Sequence, residues 1–189
     1  MTDAASLPLL VLLPGLDGTG QLFAGFVRVL GTGVETQVLS YPKEKPLGYQ
    51  ELEALARASL PTDRAFVVLG ESFSGPIAIR IAADPPSGLV GVILCGTFVR
   101  NPYPLLGWAG PLASWFPVKS LPRWARAPIM WGSMSPDRAP DQVARAASQE
   151  MVEIALRAQL IEIEGPHLLL QRRPAECAAV VVEFVRAVL

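Results

Sequence analysis

The chain has 189 residues, a formal net charge of −1 and a composition in which just over half the residues are hydrophobic. That length suits one domain with a substantial core, and the near-neutral balance gives no electrostatic case for a nucleic-acid partner. No apolar run reaches the ~18 uninterrupted residues of a membrane span, so no transmembrane segment is expected, and no basic amphipathic face argues for surface attachment.

The first residues, Met1-Thr2-Asp3-Ala4-Ala5-Ser6, carry no positive charge, and the apolar run after them is interrupted by Pro8. No secretory leader is expected. Cys95 and Cys177 lie in apolar surroundings and read as small buried hydrophobes rather than a disulfide. A cytoplasmic location is therefore expected.

Leu9 to Leu13 is a continuous apolar run, the mark of a strand covered on both faces. It ends in Pro14-Gly15-Leu16-Asp17-Gly18-Thr19-Gly20, too glycine-rich for regular structure. Helical spacing follows over 21–30, with Leu22, Phe23, Phe26 and Leu30 on one side. Val34 to Leu39 reads as a second strand. Tyr49 to Leu60 reads as a helix with Leu52, Leu55 and Ala56 inward and Pro61 as its stop. Phe66 to Leu69 is a third strand, followed by a turn at Gly70–Gly75 and a small-residue helix closed by Asp84-Pro85-Pro86. Leu89 to Leu94 is a fourth strand. This alternation predicts an α/β fold, a doubly wound, mostly parallel sheet with helices on both faces.

Between 100 and 128 the pattern breaks: Pro102, Pro104, Pro111, Pro117, Pro122 and Pro128 fall among Trp108, Trp115, Phe116 and Trp124. The segment 100–158 reads as a cap or insert within a single domain spanning 1–189, supplying apolar walls to a site or simply packing onto the body. Pro140 to Leu160 has helical spacing, Leu160 to Ile163 reads as a short strand, and Pro174 to Leu189 as a closing amphipathic helix with proline at its start.

The strand, turn and helix around Gly70-Glu71-Ser72-Phe73-Ser74-Gly75 nearly match G-x-S-x-G, the elbow that lifts a nucleophilic serine above a sheet. Ser74 stands where the second glycine would be. The alternative is an ordinary capped strand-to-helix turn. A serine hydroxyl attacks only when a neighbouring base takes its proton. The chain has one histidine, His167, so an imidazole base must be that residue. It follows Gly165-Pro166 just after the last expected strand, at the sheet's carboxyl edge, where open α/β sheets bind ligands. The glycine loop at 14–20 could turn main-chain N–H groups toward a small cavity, as acyl transfer requires. A phosphate loop is the alternative, but the run lacks G-x-G-x-x-G and lysine, and Asp17 would repel phosphate.

Taken together, Leu13 to Gly20, Gly70 to Gly75, and Gly165-Pro166-His167 followed by Pro174-Ala175-Glu176 resemble the α/β-hydrolase superfamily. Their wording is similar to small bacterial esterase or lipase-like serine hydrolases and to plastid acyltransferases acting on lipid esters. The resemblance covers 7–100 and 158–189. It implies hydrolysis of a small-molecule carboxylic ester through an acyl-Ser72 intermediate, with His167 as the base and no cofactor or metal. It also implies an oxyanion hole from the backbone N–H groups of Leu16 and Phe73.

The resemblance implies a third member too, an acid after the strand that precedes the histidine strand. In one reading Pro128 to Gly132 is that strand and Asp137, thirty residues before His167, is the acid. In the other, 100–158 is all cap and the fold is reduced by one strand together with its acid, leaving Asp137, Asp141, Glu71 or Glu164 to substitute. The short chain favours the second. An exposed sheet edge would then favour a homodimer. An acyltransferase using the same acyl-serine, and a degenerate hydrolase that binds without turnover, are the alternatives to an esterase.

Overall fold

The computed structural model describes residues 7–42, 44, 47–97 and 158–188. The chain divides into two compact units, 1–99 with 161–189, and 100–160. The expected cap at 100–158, the helix expected to begin at Pro140 and the strand expected at 128–132 lie outside the described residues.

Four strands form one parallel sheet in the order β2-β1-β3-β4. They are β1 (Leu9–Leu13), β2 (Thr36–Val38), β3 (Phe66–Glu71) and β4 (Leu89–Cys95). Every residue of β1 and β3 is buried, because both strands are central and helices cover both faces. Such strands have no solvent side, which is why Leu9–Leu13 and Phe66–Leu69 are unbroken apolar runs.

Period-two alternation divides the core. Leu9, Val11, Leu13, Phe66 and Val68 pack on one face with α2 (Tyr49–Ala58) and α3 (Gly75–Ala83). Leu10, Leu12, Val67 and Leu69 pack on the other with α1 (Ala24–Leu30), α4 (Leu169–Arg172) and α5 (Pro174–Ala187). From α1 come Phe26 and Leu30, joined by Phe23 from the 3-10 turn before it. From α5 come Cys177, Ala178, Val181 and Val185, a spacing of one helical stripe. No described helix is long and apolar enough to cross a membrane.

Three expectations are corrected. Leu22 and Leu55 are exposed, because the inward stripes run through Phe23, Phe26 and Leu30, and through Leu52 and Ala56. Residues 158–164 form no strand. Leu160 and Ile161 point to solvent while Ile163 alone rests on the core. An extended segment becomes a strand only through a neighbouring ladder, and no described strand pairs with this one.

Chain direction through the sheet reverses between β1 and β3: the chain leaves β1 for β2 on one side and β3 for β4 on the other. The carboxyl ends of β1 and β3 therefore diverge at a switch point, the place where doubly wound sheets open a crevice. The glycine loop leaves one of these strands and the serine turn leaves the other.

Candidate active site

Ser72 follows β3 directly and has φ +47°. A residue with a Cβ meets steric cost in that left-handed region, so the conformation persists only where the surroundings enforce it. Several contacts do so. Thr97 Oγ1, just beyond β4, donates to the Ser72 carbonyl at 2.5 Å. Phe73 stacks on Tyr49 with ring centroids 5.0 Å apart, and the Tyr49 hydroxyl donates to the Phe73 carbonyl at 3.3 Å. Gly70 and Gly75 permit close packing: a Cβ on Gly70 would lie 2.8 Å from Ala78 Cβ, and one on Gly75 would collide with Thr97.

Ser74, in place of the motif's second glycine, is fully buried and bonded on both sides. Its Oγ donates to the Pro14 carbonyl. With that proton committed, the Tyr41 hydroxyl donates to Ser74 Oγ at 2.8 Å. The departure from the motif thus ties the elbow to the start of the glycine loop.

His167 lies 95 residues after Ser72 in the chain, and its Nε2 is 2.8 Å from Ser72 Oγ. Gly96 makes room for it. It has φ +55°, and a Cβ there would stand 3.1 Å from the His167 carbonyl and 3.8 Å from the ring. The His167 carbonyl accepts the Leu169 N–H at 3.0 Å, which turns the chain into α4. The imidazole keeps an exposed edge, yet nearby protein removes enough water to push its pKa below the ordinary value. The neutral ring is the form that can accept a proton from Ser72. Among the described residues no carboxylate is hydrogen-bonded to Nδ1, and Asp137 and Asp141 lie outside them.

The glycine loop abuts the elbow. A Cβ on Gly15 would be 3.8 Å from Ser72 Cβ and 3.5 Å from Glu71 Oε2. Leu16, next in the loop, exposes its side chain beside the elbow. Asp17 Oδ2 accepts the Thr19 N–H at 3.1 Å and the Thr19 hydroxyl at 2.5 Å, folding the loop back on itself. Phe73 follows Ser72 beyond the end of β3, and Leu16 follows Gly15 in the loop beyond the end of β1.

Of the other candidate acids, Glu164 is exposed. Glu71 is buried, and Gln171 Nε2 donates to its Oε1 at 2.9 Å. Burial pushes the Glu71 carboxyl up, the Gln171 bond opposes this, Asp17 adds to it and the Gly15 N–H opposes it. Neither cysteine competes as nucleophile. Burial, then the Glu71 and Cys177 charges, hold the Cys95 thiol far above its usual range, and burial first pushes Cys177 to about 11. Both are free thiols. Among the described residues no group of three His, Cys, Asp or Glu side chains is placed to hold a metal ion.

Sequence reading singled out Ser72, His167, Leu16 and Phe73, and the structure brings the elements carrying them together. It did not single out Thr97, Gly96 or Gln171. The only local signal for the first two was a glycine and a small hydroxyl residue directly after β4, at the ligand edge of the sheet.

No family model matches the chain. Solved structures do. The chain is similar to tomato methylketone synthase I, solved as a variant with β-ketoheptanoate. The TM-score is 0.66 and the identity 10%, over 97% of this chain and 100% of that one. Est816, described as an N-acyl homoserine lactone degrading enzyme, matches with TM-score 0.63 and 16% identity, over 94% and 93%. An esterase from Exiguobacterium antarcticum matches with TM-score 0.59 and 17% identity, over 96% and 93%. At these identities the likeness is one of fold, and the chain has the α/β-hydrolase fold, with four strands in its described sheet.

Proposed function

We propose that the protein is a serine carboxylic-ester hydrolase acting on small to medium apolar acyl esters. The observation that carries this reading is the 2.8 Å contact between Ser72 Oγ and His167 Nε2, made from a serine held at positive φ.

In the proposed mechanism His167, with its proton on Nδ1, accepts the Ser72 hydroxyl proton at Nε2 as Oγ attacks the ester carbonyl. The backbone N–H groups of Leu16 and Phe73 stabilise the oxyanion that forms. His167 then gives the proton to the leaving alkoxide, leaving acyl-Ser72. Water, deprotonated by the same imidazole, attacks the acyl carbonyl, and the proton returns to Ser72 as the acid departs. Asp137 is the proposed orienting acid for Nδ1. The aromatic, proline-rich stretch within 100–158, read as a cap, and the exposed Leu16 side chain support the preference for apolar acyl groups.

The test is labelling with a fluorophosphonate probe together with p-nitrophenyl esters of graded chain length, on wild type, Ser72→Ala and His167→Ala. The expected result is labelling and turnover in wild type, neither in Ser72→Ala, and both strongly slowed in His167→Ala. Labelling that survives Ser72→Ala contradicts the reading.

A further inference from the structure

Three separate stretches must keep register if Ser72, His167 and the glycine loop are to meet, and one side chain bonds to or adjoins all three. Glu71 precedes Ser72 in the chain and is 2% exposed. Its carboxylate accepts the Gln171 amide N–H at 2.9 Å, and its Oε2 lies 3.5 Å from where a Cβ on Gly15 would stand, against the glycine loop. Gln171 lies on α4, four residues after His167, and Gly15 precedes Leu16. We infer that Glu71 and Gln171 are positioning residues that lock the His167 segment and the glycine loop onto the Ser72 turn. The inference rests on the serine-hydrolase reading above.

The base has few other supports among the described residues. Residues 158–164 contribute no ladder bonds, and α4 has four residues. Leu170, 1% exposed, anchors α4 in the core, but an apolar contact has little directional preference. The Gln171–Glu71 bond supplies direction. It is also kept at a cost. Gln171 Oε1 is buried without a partner among the described residues, a penalty that leucine or methionine at 171 would not carry. A position needed only for packing would favour such a side chain. Asp17 stands close enough to raise the Glu71 pKa, so removing the Gln171 donor would leave two acidic groups facing each other with less compensation.

The test compares wild type, Gln171→Met, Gln171→Glu, Glu71→Gln and the exchanged pair E71Q/Q171E. It reads kcat and KM on p-nitrophenyl butyrate, the rate of fluorophosphonate labelling at Ser72, Tm, and the NMR signals of the single imidazole. Gln171→Met keeps length and apolar bulk and deletes the bond. Its kcat and labelling rate are expected to fall about tenfold or more with KM within about twofold, as small misplacements of catalytic groups do. Gln171→Glu, which sets two carboxylates together, is expected to fall at least as far. The exchanged pair restores the bond in reverse, with the amide N–H at 71 donating to the carboxylate at 171. It is expected to recover to within about threefold of wild type, the non-additivity of a coupled pair. A Gln171→Met enzyme with wild-type kcat overturns the inference, whether or not its Tm falls. So does an exchanged pair no better than the single variants. Absence of Ser72 labelling in wild type is instead the failure of the hydrolase reading. The imidazole signals then decide the brace alone: a shift in Gln171→Met supports it, and superimposable spectra overturn it.

Discussion

Ser72 leaves a strand that is buried along its whole length and paired on both sides, and its turn is fixed from three directions by Thr97, Tyr49 and Ser74. His167 sits in a stretch with no ladder, followed by one short helix, and meets Glu71 through a single side chain of that helix. The proposed nucleophile is thus positioned by the sheet, while the proposed base is positioned by apolar anchoring and polar tethers. Backbone ladders fix position redundantly, so one lost contact on the serine side is shared among many. On the histidine side the contacts among the described residues are fewer. Perturbations of equal size should therefore be felt more strongly in catalysis when they fall near His167, and more strongly in stability when they fall near Ser72.

The largest effect is expected from the reacting pair itself. Ser72→Ala and His167→Ala should each lower kcat by roughly ten-thousand-fold, and the double variant by little more, as for groups acting as one unit. Esterase kinetics on the purified variants measure this, and additive losses would show that the two side chains work independently. Thr97→Val is nearly isosteric and removes the donor to the Ser72 carbonyl. It should cost about 1–3 kcal/mol of stability and lower kcat by less than Gln171→Met does, because the Tyr49 and Ser74 contacts still hold the turn. A kcat loss as large as that of Gln171→Met would remove the contrast between the two sides.

Ser74→Gly restores the motif glycine but orphans the buried Tyr41 hydroxyl and frees the Pro14 carbonyl. It should cost about 1–3 kcal/mol of stability with a smaller loss of kcat, measured by urea denaturation beside kinetics. A variant as stable as wild type would remove Ser74 from the scheme. The subtlest effect is on pH. Burial lowers the His167 pKa, so the neutral, proton-accepting ring persists to lower pH, and activity should fall on acidification with a midpoint below the ordinary 6.5. The kcat/KM profile reads that midpoint. A value above 6.5 would show that the negative charge proposed at Nδ1, that of Asp137, outweighs burial.

Much of this arrangement was legible in residue order. The unbroken run at Leu9–Leu13 announced a strand covered on both faces and that at Phe66–Leu69 announced another strand, and the glycine loop and Ser72 turn follow from them. Pairing needs a neighbour, and that is where local reading failed. Leu160 to Ile163 has strand-like composition, yet a strand is a relation between two segments, and no described strand stands beside it. Gln171 was silent for the same reason. Its importance lies in reaching Glu71, 100 residues earlier, and no local period encodes that reach. Ser74 looked like a flaw in a motif because its partners, Pro14 and Tyr41, lie 60 and 33 residues away.

The central claim, that Ser72 is a nucleophile activated by His167, is tested most directly by mass spectrometry of the protein after fluorophosphonate treatment. A single adduct on the peptide containing Ser72, formed at least about a hundredfold more slowly in His167→Ala, is the predicted result. An adduct elsewhere, or one on Ser72 formed at the same rate without His167, would contradict it.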